Sequence, residues 1–262
     1  MGNLYHLHIP RTSGTGILYA IHKSFELDRY KKGLDKYENQ TPGIFEFSYN
    51  HTTMSEWPTI SGHFAINPIL HNDSSLETFS VIREPVDHFV SIAAYRAMSS
   101  RREFTNEILD KFLDGKYETI FGCKLFSSDG NLQTKMLTCR MVEINAVLDV
   151  GDESPGVSIQ PNGAWFVESD LPTGEKELID RIKDITIFEM NERMAVEKYL
   201  TYQFKDKFDV EFVGLGLEKM NSSVRAGIKP SPSQKKEILE RSKLDVMLYE
   251  HITSQRKSHG ND

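Results

Sequence analysis

The stretch that decides the fold is LHIPRTSGTG at residues 7–16, followed by ILYAIHKSF at residues 17–25. The alternation from Leu4 to Ile9 predicts a strand, and the apolar residues after Gly16 recur at helical spacing. A strand that leads through small and hydroxylated residues into a helix makes an anion site, because free backbone N–H groups and the helix dipole point at the loop. We expect a phosphate or sulfate group here, although an ordinary strand-to-helix turn has the same pattern.

A second strand, turn and helix are predicted from FSVIREPVDHFVSIAAY at residues 79–95, in which Pro85 suits the first turn of the helix. A third strand at Ile185–Phe188 precedes a helix that Asn191 is expected to cap. Strands that alternate with helices predict an α/β fold with a mostly parallel central sheet flanked by helices. We expect one domain over residues 1–262.

Further helices are predicted around Ile108–Phe112 and Leu132–Leu137, and a C-terminal helix is predicted from Ser231. The Gly, Pro and Asp content of residues 149–175 predicts a loop or hairpin insertion, with a short strand at Ala164–Val167. Long loops in compact domains are often functional.

Composition excludes several classes of protein. With 31 Lys and Arg against 38 Asp and Glu, the net charge of −7 disfavours nucleic-acid binding. No run approaches the roughly 20 apolar residues of a membrane span, and MGNLYHLHIP lacks the features of a signal peptide, so we expect a cytoplasmic protein that does not bind membranes. Cys123 and Cys139 form neither a CxxC pair nor a His-flanked cluster, and we expect no metal.

The loop is not a Walker A motif, because GxxxxGK[ST] is absent and its basic residue, Arg11, precedes the glycines. Instead, HIPRTSGTG resembles the 5′-phosphosulfate loop of sulfotransferases that use 3′-phosphoadenosine-5′-phosphosulfate (PAPS), especially the carbohydrate branch typified by heparan sulfate 2-O- and 6-O-sulfotransferases. FSVIREPVDHFVSIAAY is similar to the 3′-phosphate motif of the same family, and Arg83 and Ser91 match its Arg and Ser. The resemblance implies the P-loop-like sulfotransferase fold, with PAPS as donor and no metal.

The resemblance also implies roles for individual residues. The segment SGHFAI resembles the family segment that carries the catalytic base, which places that role on His63, beside a catalytic role for Arg11 at the bridging oxygen. The other histidines, His88 among them, carry no motif support, apart from His8, which matches a common family residue. The donor-binding residues implied are Arg11, Thr12, Ser13, Gly14, Thr15 and Gly16 at the phosphosulfate, and Arg83, Ser91 and Arg225 at the 3′-phosphate.

Further segments resemble the family, among them NERMAVEKYL at 191–200, which is similar to a later Glu-Arg helix. NLQTKML at 131–137 is similar to an Asn-x-Gln-Thr-Arg-x-Leu helix, where Gln133 and Lys135 either touch the acceptor or lie on an exposed polar face, which is the commoner arrangement. LDVMLYEHI at 244–252 is similar to the family's closing helix. Two positions depart from the pattern, since Arg11 replaces the usual Lys and Gly16 replaces a Ser or Thr.

The function implied is transfer of a sulfuryl group to an acceptor hydroxyl, of a carbohydrate or a small molecule, with His63 as general base. Two alternatives stay open: a nucleotide-dependent kinase, and a catalytically silent module that binds adenosine bisphosphate. Tyr49, Trp57 and Trp165 are candidate sugar-stacking aromatic residues, although such residues more often pack in a core. The sequence leaves the oligomeric state open.

Overall fold

The structure of the protein is a computed structural model. It describes residues 4–31, 59–62, 76–99, 101–114, 130–139, 141–143, 164–166, 168–216 and 228–259. The strands are β1 (Leu4–Leu7), β2 (Thr59–Gly62), β3 (Glu77–Ile82), β4 (Met141–Glu143), β5 (Ala164–Phe166) and β6 (Ile185–Glu189). The helices are α1 (Gly14–Lys31), α2 (Pro85–Ser99), α3 (Asn106–Leu113), α4 (Leu132–Thr138), α5 (Glu175–Ile182), α6 (Arg193–Gln203), α7 (Pro232–Arg241) and α8 (Lys243–His259).

The central sheet is parallel and has the strand order β2-β1-β3-β6. Leu7 at the end of β1 lies opposite Gly62 on one side and Ser80 on the other. This confirms the predicted α/β architecture with a parallel sheet. A separate antiparallel pair joins β4 to β5 and places the backbone of Trp165 opposite Val142.

Apolar side chains cover both faces of the sheet, as parallel sheets require. On one face, the side chains of Leu4, Phe79 and Val81 pack against α1 and α6. On the other face, Tyr5, Leu7 and Ile82 pack against α2, α4 and α8. The alternation along β1 and β3 therefore divides the core into two layers. All helices in the described part of the chain are too short or too polar to cross a bilayer.

Several element boundaries differ from the sequence predictions. Helix α1 continues to Lys31, into a segment whose polar composition predicted no helix. The C-terminal region forms two helices with a break at Ser242, rather than one helix. Asn191 does not cap α6, because the helix starts at Arg193 and the Asn191 amide donates to the Glu189 carboxylate at 2.8 Å.

Some predicted residues lie outside the described part of the chain. These are His63, Arg225, Tyr49 and Trp57. The predicted insertion at 149–175 is described only at 164–166 and from residue 168, so its extent stays a prediction.

Candidate functional site

The two predicted phosphate motifs meet at one edge of the sheet. Strands β1 and β3 are neighbours and run parallel, so the loop after Leu7 and the turn at Arg83 leave the sheet at the same edge. The chain goes from β1 to a strand on one side and then to β3 on the other side. Such a reversal of strand order opens a crevice beyond the carboxyl ends of the strands, where α/β proteins bind ligands. The motifs therefore lie at the edge of the sheet where α/β proteins commonly bind ligands.

The loop after β1 has an unusual backbone. Arg11 and Ser13 both have left-handed conformations, with φ of 69° and 71°, although neither is glycine. Between them, the Thr12 hydroxyl donates a hydrogen bond of 2.8 Å to the Ile9 carbonyl and is buried. Left-handed residues in a tight turn are characteristic of backbone concavities that bind anions. Thr12 therefore shapes the loop through its side chain.

Helix α1 begins with backbone donors directed at this loop. The first hydrogen bonds of the helix run from the amides of Gly16 and Ile17 to the Ser13 carbonyl, at 3.0 and 3.4 Å. The amides of Gly14 and Thr15 lie ahead of these bonds, where a helix has no carbonyl to offer them. The positive end of the helix dipole lies at the same place. A phosphate or sulfate oxygen is the ligand that these groups favour.

Gly14 and Gly16 occupy different environments. Gly14 is buried, and a Cβ at this position would overlap the imidazole of His8. His8 belongs to a stack of rings, with His6 at 5.5 Å and Phe79 beyond His6 at 4.7 Å. A Cβ added at Gly16 would meet no other atom within 4 Å. The loop thus requires glycine at position 14 because of His8, whereas position 16 has room for a side chain.

Two side chains of the second motif hold the loop by its carbonyl oxygens. His88 Nε2 lies 2.9 Å from the Pro10 carbonyl, and Arg83 Nη1 donates to the Arg11 carbonyl at 3.3 Å. Because a carbonyl only accepts, His88 must carry a proton on Nε2. Burial lowers the pKa of His88 from 6.5 to about 4, and the Arg11 cation adds to this effect. His88 is therefore a neutral structural donor at neutral pH.

Arg11 reaches across to helix α2. Its Nε donates to the Ser91 hydroxyl at 3.3 Å, and its guanidinium lies 5.0 Å from the centre of the Tyr95 ring. A hydroxyl that accepts from Arg11 retains its own proton for another acceptor. The loop cation and the helix hydroxyl, which are 80 residues apart in sequence, therefore form one polar surface.

The guanidinium of Arg83 is buried but incompletely paired. Arg83 is 5% exposed, and its Nε has no hydrogen-bond partner among the described residues. Its two other contacts are long, at 3.3 Å to the Arg11 carbonyl and 3.5 Å to the Asp87 carboxylate. Charge-assisted hydrogen bonds are normally about 2.7–2.9 Å. A buried cation with five donors and only these weak contacts favours an additional anion.

Gln133 fixes the backbone of Arg83. The Gln133 side chain accepts from the Arg83 amide at 2.8 Å and donates to the Arg83 carbonyl at 2.9 Å. Gln133 and Lys135 are buried, so the prediction of an exposed polar face on this helix is wrong. The reason is that Gln133 of α4 lies at the end of β3, where the backbone amide and carbonyl of Arg83 have no partner among the described strands and bind the Gln133 side chain.

A buried carboxylate from α8 secures Gln133 in turn. Asp245 accepts the amides of Gln133 and Thr134, at 3.3 and 2.8 Å, and so binds the start of α4. Asn131, just before α4, accepts the amides of Leu244 and Asp245 through its Oδ1, at 2.8 and 3.3 Å. The two helices therefore cap each other. Burial raises the pKa of Asp245 from 3.8 to about 6, against the lowering effect of these hydrogen bonds.

The structure thus brings together most of the site residues predicted within the described chain. Ser13 and Thr15 are exposed at the loop, and Ser91 is buried beside Arg11. The supporting residues His88 and Asp245 were not predicted, because neither carries a motif signal. Among the described residues, no cluster of three His, Cys, Asp or Glu side chains is placed to hold a metal ion. Comparison of the sequence with protein-family models and with curated proteins finds no match.

Proposed function

We propose that this protein is a PAPS-dependent sulfotransferase with the P-loop-like fold of that family, acting on the hydroxyl of a carbohydrate or a small molecule. The observation that supports this best is the contact between the two motifs, in which Arg11 Nε donates to Ser91 Oγ at 3.3 Å. In the family that the motifs resemble, one motif holds the 5′-phosphosulfate and the other holds the 3′-phosphate. One PAPS molecule carries both groups, so it can bind only if the two motifs face the same crevice, and the contact between Arg11 and Ser91 fits this requirement.

The chemistry of the donor set fits a ligand with two separate anionic groups. The loop amides of residues 12–15 and Arg11 are donors for the 5′-phosphosulfate. Arg83 and Ser91 are donors for the 3′-phosphate, and the Nε of the buried Arg83, which has no partner in the described part of the chain, is the feature that most favours an anion there. Bidentate recognition of phosphate is what a guanidinium does best. We also assign Arg225 to the 3′-phosphate, from its motif alone.

In this proposal PAPS supplies an activated sulfuryl group. The Arg11 cation stabilises negative charge at the bridging oxygen, and the loop amides hold the transferred group in position without rearrangement. An arginine here keeps its charge throughout, whereas a lysine also offers a proton. His63 is assigned as general base, which accepts the proton of the acceptor hydroxyl. No role is assigned to a metal, since cations and backbone donors supply the stabilisation.

Calorimetric titration with adenosine 3′,5′-bisphosphate, beside 5′-AMP and ATP, tests the donor site. We expect the protein to prefer the bisphosphate. Arg83→Ala should lose affinity roughly 100-fold or more, since it removes the buried guanidinium that hydrogen-bonds the 3′-phosphate. Ser91→Ala is a milder variant, expected to lose roughly tenfold. Arg102→Ala is the control, because it removes the same charge from an exposed residue beyond the far end of α2, about 20 Å away.

Three outcomes distinguish the alternatives. Tighter binding of ATP than of the bisphosphate would favour the nucleotide-dependent kinase. Binding of the bisphosphate without turnover of PAPS, over a panel of hydroxyl acceptors, would favour the catalytically silent module. Turnover that His63→Ala abolishes without change in bisphosphate affinity would support the enzyme and the assigned base. Absence of all nucleotide binding would contradict the proposal.

A further inference from the structure

The candidate anion site contains a carboxylate. Asp87 lies in the first turn of helix α2, four residues after Arg83, and its Oδ2 is 3.5 Å from Arg83 Nη2. The Asp87 side chain is 57% exposed, whereas that of Arg83 is 6% exposed. A largely solvated carboxylate therefore approaches the cation that is proposed to bind the 3′-phosphate.

Two carboxylates, those of Glu84 and Asp87, lie at the start of α2. A carboxylate in the first turn of a helix normally receives a backbone amide or stabilises the helix dipole. The carboxylate of Glu84 already fulfils this role, because its Oε2 accepts the Asp87 amide at 2.7 Å. The Asp87 carboxylate also approaches Arg83. Its reach to the guanidinium is thus an additional feature of the site.

The contact is weak, but it opposes an incoming anion. At 3.5 Å the pair exceeds the usual length of a charge-assisted hydrogen bond, and one partner is largely in water. A phosphate offers two charges and bidentate geometry, so it outcompetes this carboxylate for the guanidinium. Once the phosphate is bound, Asp87 stays on the same helix turn. The like charges then repel at a short distance and in a partly buried setting.

We propose that Asp87 is a built-in competitor for the 3′-phosphate at Arg83, which lowers the affinity for the nucleotide and speeds its release. This inference rests on the proposed function for the identity of the ligand. Donor and product nucleotide carry the same 3′-phosphate, so a site that gripped it tightly would retain the product. A carboxylate that reoccupies the guanidinium shortens that retention, and release of product limits many enzymes.

The test compares Asp87→Asn with the wild-type chain and with Asp209→Asn. The control makes the same chemical change at a carboxylate that pairs with Lys205 on the exposed side of the segment after α6. Calorimetry gives the Kd of adenosine 3′,5′-bisphosphate, 5′-AMP and inorganic pyrophosphate, and stopped-flow displacement gives the dissociation rate of the bisphosphate. Asp87→Asn should tighten the bisphosphate roughly 3- to 10-fold, mostly through slower dissociation, with 5′-AMP changed less.

Each outcome decides between the two ideas. If the wild type binds the bisphosphate and Asp87→Asn binds it equally or more weakly, the competitor role is wrong and the proposed function is unaffected. An equal gain in Asp209→Asn would also overturn it, because the effect would then be one of net charge. If no nucleotide binds but pyrophosphate binds more tightly to Asp87→Asn, the competition at Arg83 is supported and the proposed function fails.

Discussion

Two buried ionisable groups should respond to acid in opposite directions. The pKa of His88 falls from 6.5 to about 4 on folding, because burial disfavours the cation. Its contribution to stability is present above pH 6.5 and is lost as the pH falls through about 4. The pKa of Asp245 rises from 3.8 to about 6, because burial disfavours the anion. Its contribution is present below pH 3.8 and is lost as the pH rises through about 6.

The two effects are similar in size. Each pKa unit corresponds to about 1.36 kcal/mol, so each group contributes a change of roughly 3 kcal/mol over its own range. In the wild type these changes nearly cancel between pH 4 and pH 6. When one group is removed, the effect of the other group on the pH dependence of stability becomes measurable. Relative to the wild type, His88→Gln should gain roughly 2–3 kcal/mol of stability between pH 7.5 and pH 4, and Asp245→Asn should lose a similar amount.

Urea denaturation at pH 7.5, 6, 5 and 4, followed by intrinsic fluorescence, measures these differences. Each variant is compared with the wild type at the same pH, so the exposed carboxylates that titrate in every chain cancel. The absolute stability of a variant is not the readout, because either substitution also changes a hydrogen bond. A difference between His88→Gln and the wild type that does not vary with pH would refute the burial of a neutral imidazole. Slopes of the same sign for both variants would refute the opposed roles.

Two other predictions concern the geometry of the loop and of Arg83. Gly14→Ala should abolish bisphosphate binding and lower Tm, because its Cβ overlaps the His8 ring. Gly16→Ala should keep the Kd of the bisphosphate within twofold and leave Tm unchanged, because a Cβ there meets no other atom within 4 Å. Calorimetry and thermal unfolding measure these effects, and equal damage from the two changes would contradict the prediction. Gln133→Leu keeps the volume but leaves the buried amide and carbonyl of Arg83 unpaired, so urea denaturation should show a loss of about 2–4 kcal/mol, and unchanged stability would show that these bonds contribute little.

The elements that were predicted correctly carry their signals locally. The strand, turn and helix around residues 7–25 follow from hydrophobic spacing over less than 20 residues, and the same holds for residues 79–95. Strand β2, Thr59–Gly62, was not predicted, because its four residues have neither apolar character nor clear alternation. It is a strand because β1 offers it a partner, and that information lies elsewhere in the chain.

The support of the site was beyond sequence reasoning for the same reason. Gln133 is a residue type that normally occupies exposed helix positions. It is buried because it binds the backbone amide and carbonyl of Arg83, at the end of β3. Asn131 and Asp245 cap each other's helices across 114 residues of sequence. No periodicity connects two such positions. Polar residues whose partners are distant in sequence look the same as polar residues on a surface.

The support of Arg83 is the observation that most favours an anion site over a chance pattern. Short patterns such as the loop around Arg11 occur by chance, and a lone Arg after a strand is more often a surface ion-pair residue. Here the backbone of Arg83 is held at both its amide and its carbonyl by Gln133, which Asp245 holds in turn. Buried polar groups are normally hydrogen-bonded, so the Arg83 Nε, which has no partner among the described residues, stands out beside this fixed backbone. The combination is what a preformed anion site requires, since the position is fixed in advance and the donors are kept for the ligand.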